Sequence, residues 1–255
     1  MPTGPQHPLA IIRGPGDDTA LVACERSGRI VEVDFERGEL LRSFGPLGTV
    51  QDIDRLAQHH IVAAVSSPPG LVAINLSADV SAALRKWPLA VWPTGVRVSG
   101  DGRTIAVVSR SARSVQLLNA DELVEPDGTP IGRQRIMTLS FQPGCCLWLP
   151  DHQHLLVADA YGGRLALLDA LSAELKFESH IPAHNISGLA LGPSGERVFL
   201  THQAIHTGAQ TTREDVHWGG ILTNVLRSIS VSHLLDAEHD VLAQNVRVHL
   251  GDIGR

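Results

Sequence analysis

The chain has 255 residues, of which 43% are hydrophobic and 19% are charged. This composition is typical of a folded globular protein with a buried core and excludes a disordered chain. The net charge of −6 argues against a nucleic-acid partner, and the sequence lacks an apolar stretch of the roughly 18 residues that a membrane-spanning helix needs.

The N-terminus and the cysteines indicate where the chain works and what it carries. Residues 1–10 lack the basic start and apolar stretch of a signal peptide, which predicts a cytoplasmic chain as the sequence is written. The three cysteines are Cys24, Cys145 and Cys146, and the last two are adjacent. Because there is no CxxC or CxxCH motif, the sequence predicts neither a thiolate zinc site nor a covalently attached haem, and no cofactor within the chain.

One pattern of short apolar runs repeats along the chain. In the first four copies, a second apolar run closes on an Asp or Asn 14 residues after the first apolar position. The first positions of the five copies lie 41, 44, 50 and 43 residues apart; they are Ala20, Ile61, Ile105, Leu155 and Val198. Periods of about 40–50 residues with several short strands per unit are typical of propeller blades.

Each copy predicts four strands in the same order. A first strand precedes a turn rich in Gly, Pro and Asp, as at 14–18 and 99–103, because tight hairpins need such residues. Two apolar strands follow, and a more polar fourth strand forms the outer edge. The runs last only about four to six residues between turn signals, which favours strands over helices.

The sequence therefore predicts an all-β fold, a single β-propeller domain spanning residues 1–255 and built from four-stranded blades. The five blade units are expected at about 9–48, 49–90, 91–140, 141–183 and 184–250. Propellers usually have about four to eight blades. Five blades could close on themselves, or the chain could be a partial, truncated seven-bladed propeller.

Units three and four resemble the YVTN (YncE-like) family of propeller repeats, through residues 93–109 and 159–169. The fifth unit, through residues 184–197, 201–203 and 211–220, is similar to propeller domains of bacterial proteins that also carry c-type cytochrome or di-haem peroxidase-like modules. This resemblance implies an exported, periplasmic parent protein linked to a redox system, with a c-type cytochrome as a partner. The chain itself lacks the export signal and the CxxCH motif of those proteins.

The fifth unit breaks the spacing of the repeat. Its closing run ends at Ser232, 34 residues after Val198, which predicts an inserted loop at about 202–226 between the second and third strands. In a four-stranded blade this loop opens on the same face as the loop that leads into the first strand, where propellers usually bind. The predicted site residues are His184, Asn185, His202, His206, Asp215, His217 and Trp218 of unit five, Asp159 and Tyr161 of unit four, and Arg110 of unit three.

Two classes of function fit these residues. The first is a non-enzymatic binding or scaffold domain that presents its histidine-rich face to a protein or a small ligand, because Trp, Tyr and Arg are common anchors at interfaces. The alternative is a metal-binding protein or metal-dependent enzyme, oxidoreductase-associated or lactonase-like, with His184, His202 and His217 as ligands of a transition metal. A third possibility is that the histidines only satisfy backbone groups of a long loop. Because no spacing selects a catalytic residue, the sequence names none and favours the binding domain.

Overall fold

The computed structural model describes residues 7–79, 84–124, 134–210, 212–213, 221–236 and 240–250. The chain divides into two compact units, each larger than the blade units predicted from the sequence. From here on, unit one is Met1–Thr138 and unit two is Leu139–Arg255. Within the described residues, the structure contains twenty strands and two short helices. Neither of these helices has the length and apolar character needed to cross a membrane.

Unit one contains three antiparallel sheets, each with four strands. Blade one consists of β1 (Pro8–Arg13), β2 (Thr19–Cys24), β3 (Arg29–Asp34) and β4 (Glu39–Phe44). Blade two consists of β5 (Val50–Ala57), β6 (His60–Ser66), β7 (Pro69–Asn75) and β8 (Leu84–Pro88). Blade three consists of β9 (Gly95–Val98), β10 (Thr104–Ser109), β11 (Ser114–Asn119) and β12 (Arg135–Thr138), with helix α1 (Asp121–Val124) before its last strand.

Unit two contains two further four-stranded antiparallel sheets. Blade four consists of β13 (Pro143–Trp148), β14 (His154–Asp159), β15 (Arg164–Asp169) and β16 (Glu174–His180). Blade five consists of β17 (His184–Leu191), β18 (Arg197–Ile205), β19 (Leu222–Ser230) and β20 (Val246–Leu250), with helix α2 (Val231–Leu235) before its last strand. In every sheet the strands are neighbours in chain order, which confirms the predicted all-β fold of five four-stranded blades.

The Asp or Asn that ends each repeat has a structural role. In blades one to four it pairs with the residue that opens the second strand, as in Thr19↔Asp34 and His154↔Asp169. Its side chain then accepts a hydrogen bond from the backbone of the following turn, such as that from Leu171 N to Asp169 Oδ1 at 2.8 Å. Burial disfavours the charged form of Asp169, but the hydrogen bonds it accepts outweigh burial and lower its pKa to about 2.

Apolar side chains hold the blades together within each unit. In unit one, Leu21 of blade one and Ile61 of blade two share one core, and Leu71 of blade two and Val107 of blade three share another. In unit two, Leu165 of blade four packs in the same core as residues of blade five. Each fully buried aliphatic side chain contributes about 2 kcal/mol to folding.

Blade five has longer central strands than the sequence predicted. Strands β18 and β19 have nine residues each and stay paired out to Ile205↔Leu222. Strand pairing therefore takes up 202–205 and 222–226 of the predicted loop, because both of its ends continue the hairpin. The residue equivalent to the repeated Asp or Asn is Ser230, which pairs with Arg197, and not Ser232, because helix α2 begins at Val231.

Candidate functional site

Blade five carries an open pocket of about 490 Å³ on its sheet. The residues that line it come from all four of its strands, and most have polar side chains. They are Asn185, Ser187, Thr201, His202, Gln203, Asn224, Val225 and Leu250.

This pocket exists because one face of blade five is not covered. Along β18, Val198, Leu200 and His202 are buried, whereas the alternate residues are partly exposed. In β14 of blade four, by contrast, every residue after the first is buried, so that strand is covered on both faces. Alternating side chains of a strand point to opposite faces of the sheet. Blade five therefore packs against blade four with one face and exposes the other.

We call the exposed side the outer face of blade five, and its members are set by the strand register. In that register Thr201 lies opposite Leu226, and Gln203 lies opposite Asn224. Leu226 and Asn224 in turn lie opposite Val248 and Leu250 of β20. The members of the outer face on these three strands are Arg197, Phe199, Thr201, Gln203 and Ile205 of β18, Leu222, Asn224, Leu226, Ser228 and Ser230 of β19, and Val246, Val248 and Leu250 of β20.

Hydrogen bonds order the polar part of the outer face. Asn185 Nδ2 donates to Gln203 Oε1 at 2.6 Å, and the hydroxyls of Ser187 and Thr201 are 3.0 Å apart. Amide and hydroxyl groups both donate and accept hydrogen bonds, and none of them is charged. This part of the face can therefore pair with polar groups of a partner without the cost of removing a charge from water.

His202 lies on the opposite, buried side of the sheet. Its Nδ1 is 3.0 Å from the carbonyl oxygen of Gln203, and Arg227 Nε lies 3.4 Å from its Nε2. A carbonyl only accepts and a guanidinium only donates, so these partners assign the proton to Nδ1 and an uncharged ring. Burial, followed by the nearby charges of Arg227 and Arg247, lowers the pKa of His202 and favours the same form.

We expect His202 to make unit two less stable in mild acid. The pKa of His202 in the folded state is lowered from its ordinary value of 6.5, so the unfolded chain binds the proton more readily. The contribution of the uncharged ring to folding stability is therefore complete above pH 6.5 and is lost as the pH falls towards the folded pKa. Chemical denaturation between about pH 7.5 and about pH 5 should show this loss in the wild type and a flatter profile in His202→Gln. His180→Gln, at an exposed histidine of β16, is the control. Identical slopes in wild type and His202→Gln would refute the assignment.

The other predicted histidines lie near the ends of the blade-five strands. His184 opens β17, pairs with Gln203, and is close enough to His202 for its charge to lower the pKa of that ring. His206 follows β18; its Nε2 is 3.1 Å from Thr223 Oγ1, and its ring stacks on that of His249 at 6.2 Å between centroids. The structure thus brings His184 close to His202 and places His206 against His249.

The two predicted residues of blade four shape a turn beside Asn185. Asp159 is buried at the end of β14, and its Oδ1 accepts a hydrogen bond from Tyr161 N at 3.0 Å. The ring of Tyr161 is exposed, and its carbonyl accepts a hydrogen bond from Asn185 N at 3.1 Å. Asp159 therefore fixes the turn, and Tyr161 connects that turn to the pocket through Asn185.

Four predicted site residues are not among the described residues of unit two. Arg110 belongs to unit one, where it follows β10 and its carbonyl accepts a hydrogen bond from Arg113 N. Asp215, His217 and Trp218 lie outside the described residues. Their participation in a site with blade five stays a prediction.

A metal site also stays a prediction. Within the part of the chain that the structure describes, no three His, Cys, Asp or Glu side chains are grouped so that they could hold a metal ion. Both ring nitrogens of His202 already have hydrogen-bond partners, so metal binding there would displace Gln203 or Arg227. His217, the third predicted ligand, lies outside the described residues.

The sequence analysis missed several residues of this region. Gln203, Asn224, Thr201 and Ser187 line the pocket, and Arg227 contacts His202. Residues 198–203 do not alternate between apolar and polar side chains, so the sequence carried no local signal of a strand with one covered face.

Comparisons with known proteins identify the fold. No protein-family model matches the chain, and no curated protein matches its sequence. The structure is similar to Kuenenia stuttgartiensis hydrazine synthase, with a TM-score of 0.78 and 14% identity over 98% of this chain and 68% of that one. It is also similar to the β-propeller domain of Myceliophteria thermophila Cps50 (Swd1), with a TM-score of 0.67 and 16% identity over 93% of this chain and 69% of that one. At these identities the matches show a β-propeller fold and nothing about function.

Proposed function

We propose that this chain is a non-enzymatic β-propeller binding domain and that the outer face of blade five contacts a protein partner. The observation that carries the proposal is the one-sided burial of β18. Both faces of the corresponding strand of blade four, β14, are buried, whereas β18 is buried on one face only. An exposed face of this kind is typical of an interaction surface.

The chemistry of the outer face suits a protein partner. On the outer strand β20, Val248 and Leu250 are 49% and 45% exposed, and the polar pocket lies beside them. Protein interfaces combine an apolar, charge-poor centre with hydrogen-bonding groups. Arg197, at the start of β18, is the charged residue at one end of this face, and its Nη2 donates to Ser228 Oγ and to the carbonyl of Gln244. The face therefore presents aliphatic, hydroxyl and amide groups to a partner.

Val248→Lys tests this proposal. A lysine in the middle of β20 places a charge in the apolar part of the face, which a partner could cover only at the cost of desolvating it. We expect the variant to retain its partner about tenfold less well than the wild type when both are used as baits on source-cell extract. The measurement is quantitative mass spectrometry of retained proteins.

Leu175→Lys is the matched control for this experiment. Leu175 lies on β16, the outer strand of blade four, and is 47% exposed, almost as exposed as Val248. A protein retained by the wild type and Leu175→Lys but lost with Val248→Lys supports the outer face as the interface. Equal retention by all three baits contradicts it.

We further propose that the partner is a redox protein, with a c-type cytochrome as the first candidate. The support is the resemblance of residues 184–197, 201–203 and 211–220 to propeller domains associated with c-type cytochromes, since these residues include much of blade five. Haem absorbance in the fraction retained by the wild type, and its loss with Val248→Lys, tests this narrower proposal. A haem-free retained partner would contradict it and leave the outer face as the interface.

A further inference from the structure

Arg227 has an unused hydrogen-bond donor in a buried position. Its side chain lies on the covered side of blade five, and the residue is only 3% exposed. Nε faces His202 Nε2, and Nη1 donates to Asn245 Oδ1 at 2.8 Å. Nη2 is buried and has no hydrogen-bond partner among the residues that the structure describes. A buried guanidinium nitrogen in this condition is costly, because it has lost its water and gained nothing in return.

A second arginine lies directly across the sheet from Arg227. Arg247 of β20 is its partner in the strand register, so both side chains emerge on the same face. Like charges directly opposite each other in a sheet are destabilising. Among the described residues, Arg227 and Arg247 take part in no ion pair with a carboxylate. Burial and the charge of Arg247 also lower the pKa of Arg227, as expected when a cation lacks a counter-charge.

We propose that Arg227 and Arg247 together bind a small tetrahedral oxyanion with the chemistry of inorganic phosphate, on the covered side of blade five. Such an anion would occupy Arg227 Nη2 and neutralise the pair of opposed cations. This site is separate from the outer face, because the two lie on opposite sides of the same sheet.

The donors that remain free favour a tetrahedral anion over a carboxylate. A planar carboxylate is usually bound by two parallel N–H groups on one edge of a guanidinium. In Arg227, Nε is used by His202 and one of the two Nη1 hydrogens is used by Asn245, so the edge that contains Nε cannot bind a carboxylate in this way. Nη2 can contact one oxygen, and Arg247 must supply further contacts from a different direction. Phosphate has oxygens that point in several directions and can meet both.

The neighbouring residues hold Arg227 ready for the anion. His202, with its proton on Nδ1, accepts from Arg227 Nε and so fixes the guanidinium without adding charge. Arg247 is exposed on the outer strand, which gives an anion a way in from solvent. We therefore assign His202 and Asn245 as positioning residues and the two arginines as the residues that bind.

Calorimetric titration of the full chain with inorganic phosphate, after dialysis into chloride buffer, tests the proposal. We expect saturable binding with a stoichiometry near one, and binding about tenfold weaker in Arg247→Gln because a charged hydrogen bond is lost. Arg247→Gln is preferred to a change at Arg227, since replacing an exposed residue leaves the buried contacts in place. Arg164→Gln, at a surface arginine of blade four that pairs with Glu178, is the control and should bind like the wild type.

Three results would contradict the proposal, two of them the site itself and one its preference for a tetrahedral anion. Phosphate also stabilises proteins in general by being excluded from their surfaces, so thermal stabilisation alone does not count as binding. Absence of saturable heat in the wild type, or equal affinity in the wild type and Arg247→Gln, would eliminate the site. Acetate that binds as tightly as phosphate at equal ionic strength would eliminate the tetrahedral preference. Arg227→Lys, if it folds, should lose binding as well.

Discussion

Replacing Gly163 with alanine should destabilise unit two by about 3 kcal/mol while leaving unit one unchanged. A Cβ at this position would lie 2.0 Å from the carbonyl oxygen of Ile181 and 2.8 Å from that of Ala183. Both are backbone atoms, so no flexible side chain can move aside. Ile181 N also donates to the carbonyl of Gly163 at 2.8 Å, which holds the two segments together. The added methyl group must therefore separate the blade-four turn from the segment that leads into β17.

The same change should disturb the pocket. The displaced segment continues into Asn185, which is tied to Tyr161 by its backbone and to Gln203 by its side chain. Hydrogen exchange read peptide by peptide is the suitable measurement, because it reports the two units separately. Gly208→Ala is the control, since a Cβ there would meet nothing within 4 Å. Unchanged protection of β17 and β18 in Gly163→Ala would show that the clash is relieved at no cost.

Most of the fold could be predicted from the sequence because the blade hairpin is a local structure. Pairs such as Thr19↔Asp34 and Thr104↔Asn119 are close in sequence, and their turns carry Gly, Pro, Asp or Asn. The apolar runs between those turns are too short for helices. The period of the repeat therefore predicted the number of blades and their strand order.

The shape of blade five could not be predicted in the same way. Residues 202–204 lack the apolar run that marked the other strands, so the sequence indicated a loop there. The structure extends β18 through them because backbone pairing with β19 continues to Ile205↔Leu222. A strand with only one covered face needs apolar residues only at alternate positions, and His202 takes one of those positions. Burial of a histidine that is bound to an arginine leaves no local signal.

The pair of arginines on the covered side was also invisible in the sequence. Arg227 and Arg247 are separated by helix α2 and the segment after it, and they meet only through the register of β19 and β20. An arginine within a strand most often faces solvent. Only the structure reveals that Arg227 is buried and that one of its nitrogens is unused. The two sides of blade five thus differ in chemistry. The outer face is mainly aliphatic, hydroxyl and amide, with Arg197 at one end, whereas the covered face carries two opposed arginines.

Two carboxylates of blade two support the exposed edge of blade three. Among the described strands, β9 pairs with β10 alone, so the N–H groups on its other edge have no strand partner there. Val96 N donates to Asp52 Oδ2 at 3.1 Å, and Val98 N donates to Asp54 Oδ2 at 2.7 Å. Because alternate residues of β5 reach alternate N–H groups of β9, the carboxylates take the place of a missing strand.

The double variant Asp52→Ala with Asp54→Ala should therefore lower the free energy of unfolding of unit one by about 3 kcal/mol. Two backbone donors of β9 would lose their acceptors, and the Arg97 side chain would lose one acceptor but keep the carbonyl of Val96. Burial raises the pKa of both carboxyls, because their charged forms are desolvated in the folded state. Removing the carboxylates also removes this desolvation cost, which offsets part of the loss. Hydrogen exchange should report the loss at β9 and β10, with unit two unaffected.

Asp54→Asn separates the hydrogen bond from the charge. The amide keeps an acceptor oxygen for Val98 N, so this variant should be more stable than Asp54→Ala. Because the folded pKa of Asp54 is raised from 3.8, the stabilisation by its protonated form is complete below that value and is lost as the pH rises through the folded pKa. Between about pH 4 and about pH 7, the wild type should therefore lose stability relative to Asp54→Asn. If Asp54→Ala matched the wild type at neutral pH, the carboxylate would not be supporting β9, and the edge of blade three would be satisfied by water instead.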